Sequence, residues 1–240
     1  MLVILIAVVL IAAVVLILFF TQKKDTTDPG SAGSTVSAGT TATSSASSEG
    51  FTGNRTSGYP DGTYTGDFVN GQRSGSGVME FTSGNKYDGE WKNDAMSGTG
   101  TFTWANGDVY SGDFVDNVRS GTGEMIYANG DKYEGEYANS EKSGTGTYTW
   151  TNGDVYSGNW ENNIRSGHGT MVFSSGNRYD GNWIDDLRSG TGTYTWVNGD
   201  EYVGNWENNI RSGYGVMTFA DGTVNEGTWV NDVCIGQPIP

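Results

Sequence analysis

From residue 64 to the C-terminus, apolar and polar positions alternate in short runs. In "KYDGEW" (residues 86–91), Tyr87, Gly89 and Trp91 share one face, and Lys86, Asp88 and Glu90 share the other. In "GTGTFTW" (residues 98–104), Gly98, Gly100, Phe102 and Trp104 alternate with Thr99, Thr101 and Thr103. A period of two is the mark of half-buried strands, not helices, and Thr, Tyr, Phe and Trp suit a pleated surface. Between runs stand turn residues. Asn-Gly recurs at 106–107, 129–130, 152–153 and 198–199. It predicts a tight hairpin with positive φ at both central residues. The Asn/Asp-rich segments, such as "KNDAMS" at 92–97, read as a longer turn. The pattern as a whole predicts an antiparallel meander of about 15 strands.

The pattern is also a repeat. Tyrosines fall at 64, 87, 110, 133, 156, 179 and 202, each 23 residues after the last, with Asn225 in the next slot. A glycine follows two residues later in every copy, and an aromatic two beyond that: Phe68, Trp91, Phe114, Tyr137, Trp160, Trp183, Trp206 and Trp229. A fixed short period implies stacked units, none of which can bury its apolar face alone. The glycines share a face with the aromatics, where a ring can lie over bare backbone and pin the register. A second period of 46 is superimposed: Thr-(Phe/Tyr)-Thr-Trp at 101–104, 147–150 and 193–196, with Met79, Met125, Met171 and Met217 in the alternate copies. Simple duplication and a division of labour between alternate repeats both account for it.

The segment "YDGEW…SGTGTFTW.NG" resembles the MORN repeat, over about residues 59–236 as seven full copies and one partial. That resemblance implies an elongated single-sheet antiparallel array of 23-residue β-hairpins, used for protein–protein contact and membrane tethering. It also implies that catalysis, where it occurs in the family, resides in other attached domains. Some members bind anionic phospholipids. The fold class expected is therefore all-β, preceded by one N-terminal transmembrane helix.

That helix is read from residues 1–20, "MLVILIAVVLIAAVVLILFF", which carry no charge. Twenty helical residues span about 30 Å, the hydrocarbon thickness. No basic n-region precedes the run and "TQKKD" follows it, which favours an uncleaved anchor over a signal peptide. Lys23 and Lys24 place the C-terminal part in the cytoplasm by the positive-inside rule. The uncharged Ser/Thr/Gly/Ala stretch 21–58 resembles extracellular stalks, so the side stays open. That stretch is expected to be a disordered linker, and residues 59–240 the array. Asn54-Arg55-Thr56 fits a glycosylation sequon. Pro238 and Pro240 fall where another strand would start and are expected to block the open edge.

Charge narrows the partners. The formal net charge is −15, and 25 of the 28 acidic but only 10 of the 13 basic side chains lie at or beyond residue 59. That balance argues against nucleic acid and weakens direct binding to anionic lipid. One basic feature stands out. Arg73, Arg119, Arg165, Arg188 and Arg211 occupy the same slot before Ser-Gly, with Lys142 in a sixth copy. Stacking predicts a basic row along one edge, a candidate surface for an acidic partner. Asp67, Glu90, Asp113 and Glu136 form an acidic row on the outward face of the first four copies. Mutual charge compensation between the rows, about 0–1 kcal/mol per pair, is the plainer account.

Candidate chemistry is sparse. His168 is the sole histidine, in a slot otherwise held by Ser, Thr or Tyr, and is expected to be an exposed outward residue. Cys234 is the sole cysteine. Pairs such as Asp185-Asp186 and Asp116-Asn117 lie in turns, where such residues bond local backbone, and no Asp-x-Asp-x-Asp-Gly loop is present. No nucleophile sits beside a base, and Gly-x-Gly lies within a strand, not at a helix start. The expectation is a non-enzyme without cofactor or metal: a membrane-anchored scaffold with an unknown protein partner, or a lipid-binding module bridging two membranes. A single-layer aromatic face must also curl or find cover in a homodimer.

Overall fold

The computed structural model describes residues 50–236. They form one antiparallel sheet of 17 strands in which each strand pairs with its neighbours in sequence. β1 (Gly53–Tyr59) and β2 (Gly62–Val69) start it, and the last strand is Val233–Gly236. The expected all-β meander is present. It has two strands more than the repeat count suggested, because β1 and the final short strand close its ends. The sheet also begins inside the stretch read as linker, six residues before the expected boundary at 59. The apolar segment 1–20, residues 21–49, and Pro238 and Pro240 lie outside the described residues. Among the described residues no helix is long and apolar enough to cross a membrane.

One repeat explains the rest. β3 is Gln72–Phe81, β4 Lys86–Lys92, β5 Ala95–Thr103 and β6 Val109–Val115. The turn assignment from sequence is reversed in the structure. The two-residue hairpin lies within the repeat, between β4 and β5, where Asn93 and Asp94 take φ of 49° and 68° and Lys92 pairs with Ala95. Positive φ at both central residues is the I′ geometry, which Asn and Asp tolerate better than other side chains. The Asn-Gly connection is the longer one. Trp104 donates its N–H to the Asp108 carbonyl and accepts that of Gly107, both at 2.9 Å. Only Gly107 is left-handed, at φ 99°. This is a three-residue loop closed by a glycine bulge. The signal was misread because Asn-Gly suits either loop, and the bonding pattern decides between them.

Each hairpin also carries a wide bulge. Gly89 pairs with Gly100 but Trp91 pairs with Met96, so Ser97, Gly98 and Thr99 oppose Glu90 alone. Gly98 takes φ 66° there. The Glu90 carboxylate accepts the Thr99 N–H at 2.9 Å and its hydroxyl at 2.8 Å. Asp67, Asp113 and Glu136 likewise accept the bulge N–H of Ser76, Thr122 and Thr145. The acidic row thus caps bulges, and these four carboxylates bond those bulge groups, with Asn54 Nδ2 also donating to Asp67 at 3.1 Å, and not the arginine row. The Thr99 N–H and hydroxyl hold the Glu90 carboxyl below the usual range, and the Thr145 hydroxyl and N–H do the same for Glu136.

The core is a file of rings on one face. Tyr64, Tyr87, Tyr110, Tyr133, Tyr156, Tyr179 and Tyr202 have no solvent exposure. Tyr110 shows why. Its ring lies over Gly123, where an added Cβ would stand 2.5 Å from Cε2 and Oη. Its hydroxyl donates to the Asp113 carbonyl at 3.1 Å, beside the bulge. Phe114 of its own hairpin and Tyr137 of the next pack edge-on against it, at 5.2 and 5.1 Å. Each tryptophan at that site also ties two repeats together, as Trp91 Nε1–H does with the Gly77 carbonyl at 3.0 Å. The aromatic face is therefore covered from within the chain, which removes the need for cover that had suggested a homodimer.

The ends differ as stacking requires. At the start, the Arg55 guanidinium lies over Phe51 and Phe68, 4.4 and 4.6 Å from the ring centroids. At the other end the tyrosine slot holds the exposed Asn225. A tyrosine there would need a ring from a further repeat to cover it, as Trp229 covers Tyr202.

Candidate interaction surface

The sheet has two long edges, one of two-residue hairpin turns and one of three-residue loops. Both are laced between repeats by side chains that sequence reasoning had assigned to local turn bonding. At the hairpin edge, the second turn residue clamps the preceding repeat. Asp94 Oδ1 accepts the Arg73 N–H at 2.9 Å, while the Asp94 N–H donates to the Arg73 carbonyl at 3.0 Å. Asn117, Ser140, Asn163, Asp186, Asn209 and Asp232 repeat the clamp. At the loop edge, Asp108 accepts the Ala128 N–H at 2.7 Å, Asp131 that of Thr151 and Asp154 that of Ser174, each 20 residues on. A spacing of 20 or 21 within a period of 23 was the signal available for these ladders.

The arginine row is present, but its side chains turn inward. Arg165 illustrates the site. Its Nε donates to Asp186 Oδ1 at 2.8 Å and its Nη2 to the Asp186 carbonyl at 3.1 Å. Its guanidinium lies over Trp183 at 4.4 Å, with Tyr156 and Trp150 at 5.5 and 5.9 Å. Arg73 lies over Tyr59, Tyr64 and Trp91, and Arg119 over Trp104, Tyr110 and Tyr137. Arg188 and Arg211 sit in equivalent three-ring cages. Lys142 lies over four rings and is buried. Side-chain exposures of 16% for Arg73, 15% for Arg165 and 20% for Arg211 mean that most of each cation is withheld from solvent. Burial pulls the Arg188 pKa below the usual guanidinium value. The slot before Ser-Gly is a core position because Arg165 pairs across the sheet with Trp160, as Arg188 does with Trp183, and paired residues share a face. An exposed basic edge was expected; a row of cations set into the aromatic file is observed.

The 46-residue period has a packing basis. Phe102, Tyr148 and Tyr194 each bridge two loop-edge aromatics. Tyr148 stands 5.8 Å from Tyr127 and 4.5 Å from Trp150, and Tyr194 stands 6.1 Å from Phe173 and 4.5 Å from Trp196. Methionines fill the same depth in alternate repeats.

What the hairpin edge shows to solvent, on the opposite face, is aliphatic and acidic. Ile164, Ile184, Ile210, Val230 and Val233 are exposed there. His168 lies further in on that face, 3.1 Å from Asp180, which also pairs with Arg178. Cys234 occupies the final arginine slot, opposite Trp229, and is free. No group of three His, Cys, Asp or Glu side chains among the described residues is arranged to hold a metal.

The fold and these ladders define a class: a stack of β-hairpins joined repeat to repeat, with its repeated residues serving cohesion. The chain belongs to the MORN repeat family, whose model matches it seven times in succession, at residues 64–86, 87–109, 110–132, 133–155, 156–178, 179–201 and 202–224. No curated protein matches it. Among solved structures it is similar to the SAS-4 (dCPAP) TCP domain of Drosophila melanogaster in complex with a proline-rich motif of Ana2, at 15% identity and TM-score 0.42, covering 65% of this chain and 85% of that one. It is also similar to the wild-type TCP10 domain of Danio rerio CPAP, at 13% identity and TM-score 0.25, covering 66% and 84%.

Proposed function

We propose that the chain is a non-catalytic scaffold, held to a membrane by residues 1–20 and using its repeat array to bind a protein partner. The observation that carries this reading is the division of labour on the sheet. The aromatic face is closed on itself, while aliphatic side chains remain exposed at recurring slots along one edge. A regular row of exposed apolar groups on an otherwise polar surface marks a contact surface. The competing reading, a lipid-binding module bridging two membranes, relies on the arginine row meeting anionic headgroups. Those guanidiniums are stacked on rings and bonded to turn carbonyls, and the solvent face around them is acidic. The side of the membrane on which the array stands remains part of the proposal to be tested.

The test pairs two measurements. Proximity labelling from the full-length protein in its own cell should give neighbours that vanish when residues 50–240 are deleted. Co-sedimentation with anionic vesicles should show no salt-sensitive binding. Vesicle binding lost on replacing Arg119, Arg165 and Arg188 by alanine in a variant that stays folded, together with no reproducible neighbour, would replace the scaffold with the lipid bridge.

A further inference from the structure

The hairpin edge was a candidate for an acidic partner when its arginines were read as exposed. With the arginines turned inward, the sign of that edge reverses. Cross-strand pairs flank each two-residue turn on the face opposite the rings: Glu161/Ile164, Ile184/Leu187, Glu207/Ile210 and Val230/Val233. Ile184 and Val233 are each 59% exposed, and Ile164, Ile210 and Val230 are exposed as well. Six of the eight side chains are Ile, Leu or Val, and the other two are glutamates. Asp185 adds a third exposed carboxylate at the turn itself.

Among the described residues no cation balances these carboxylates on the same face of the edge. From Val155 to Gly236 the chain carries ten carboxylates and four arginines. Arg165, Arg188 and Arg211 lie on the ring face, bonded to turn residues. Arg178 stands away from the edge and is paired with Asp180. The outer edge of these four hairpins is therefore an aliphatic strip bordered by uncompensated acid. A second copy of the chain would bring the same charges against it, so self-association by this strip is disfavoured.

We propose that this strip, formed by Ile164, Ile184, Leu187, Ile210, Val230 and Val233, docks a basic amphipathic helix from a partner protein. Its aliphatic face covers the strip, and its lysines or arginines meet Glu161, Asp185 and Glu207. Four hairpins give three steps of two strands each, about 29 Å at ~4.8 Å per strand. A helix of about 19 residues spans that distance at 1.5 Å per residue. Apolar anchors in such a contact supply affinity, while rim charges set orientation and encounter rate. The proposal rests on the scaffold reading and names its partner class.

The experiment uses the full chain in phosphatidylcholine nanodiscs and a labelled 20-residue model helix with leucines on one face and flanking lysines. Fluorescence anisotropy is read against empty nanodiscs. A twin peptide carries glutamates at the flanks. The lysine peptide should bind at least ten-fold tighter than its twin and weaken with salt. Ile184→Ser with Ile210→Ser, both at exposed positions, should weaken it at least ten-fold. Glu161→Lys with Glu207→Lys should reverse the preference between peptides. Equal binding of the two peptides, no binding, or indifference to both double variants overturns the proposal. So does a strip that partitions onto phosphatidylcholine vesicles and loses this with Ile184→Ser and Ile210→Ser, which would make it a membrane-inserting edge. If labelled neighbours in the cell depend on the array but survive the serine variant, the scaffold stands and this docking site falls.

Discussion

Raising the pH should unfold the array abruptly, because its core is a file of seven buried phenols. Burial pushes the hydroxyls of Tyr64, Tyr156, Tyr179 and Tyr202 up to about 12, and raises those of Tyr87, Tyr110 and Tyr133 too. In the unfolded chain a tyrosine ionises near 10. Above that pH the unfolded state binds fewer protons than the folded one, so stability falls as pH rises. The contribution is fully present below about pH 10 and is lost on approach to the folded-state values near 12. Each buried tyrosine removes about 1.4 kcal/mol per pH unit in that window. If the seven respond together, the loss is about 10 kcal/mol per unit, comparable to the whole stability of a typical domain. If single repeats open independently, each loses only its own share, and the ends go first. Circular dichroism and tyrosinate absorbance, followed together on residues 50–240, separate these cases. The expected result is a small early absorbance rise from exposed tyrosines, followed by loss of sheet and a large absorbance step that coincide between pH 10 and 12. Complete ionisation centred near pH 10 with the sheet intact would refute the argument, since phenols that titrate freely are not buried.

Two further changes probe the repeat itself. Gly123→Ala should cost about 1–3 kcal/mol by forcing the Tyr110 ring off its seat. Gly58→Ala, whose added methyl meets nothing within 4 Å, should be neutral or slightly stabilising; urea midpoints compare them. Asp94→Ala should cost about 1–2 kcal/mol from the left-handed backbone alone, on top of the lost clamp on Arg73. Asp94→Asn keeps both the conformation and the accepting oxygen and should retain most of the midpoint.

The fold was legible because three levels of the sequence agree. The alternation gave strands, the 23-residue period gave the stack, and the Tyr/Gly pairing gave the ring over bare backbone. The candidate surface was not, and Arg165 shows the physical reason. Its slot reads as polar and near a turn, so it was placed on the edge facing solvent. The bulge shifts the register by two residues, as between Gly158 and Trp160, and a shift of two leaves the alternation in phase. Counting by twos from Met171 through Gly169 and Gly167 puts Arg165 on the ring face, but its charge and its place beside a turn outweighed that count. The same shift explains why Glu90 and its equivalents looked like a free acidic row. Their role depends on N–H groups left over by a bulge, and no residue type announces a bulge except Gly98 and its counterparts, which had been assigned to ring stacking. The clamps at both edges were hidden differently. Asn and Asp favour turns for local reasons, and a bond to the next repeat requires knowing how far the stack offsets each turn.

The ends of the array permit one more test. Tyr202 is buried because Trp229 packs against it edge-on at 5.1 Å, and Trp229 itself is held by the Gly215 carbonyl at 3.0 Å. The next tyrosine slot holds exposed Asn225, which leaves no tyrosine awaiting cover in the last described hairpin. Cutting the chain after residue 213 removes Trp229 and, with Gly215 and Met217, the strand segment that the Tyr202 ring lies over and pairs with. The ring then stands open beside an unpaired stretch of strand and should drive self-association. The same truncation with Tyr202→Asn reproduces the last described hairpin one repeat earlier and should stay monodisperse. Sedimentation velocity on residues 50–213 with and without the substitution distinguishes the two. Terminal residues with polar outer faces are what a one-dimensional stack needs for solubility. If both truncations sediment alike, Asn225 is an incidental departure from the repeat and the capping argument fails.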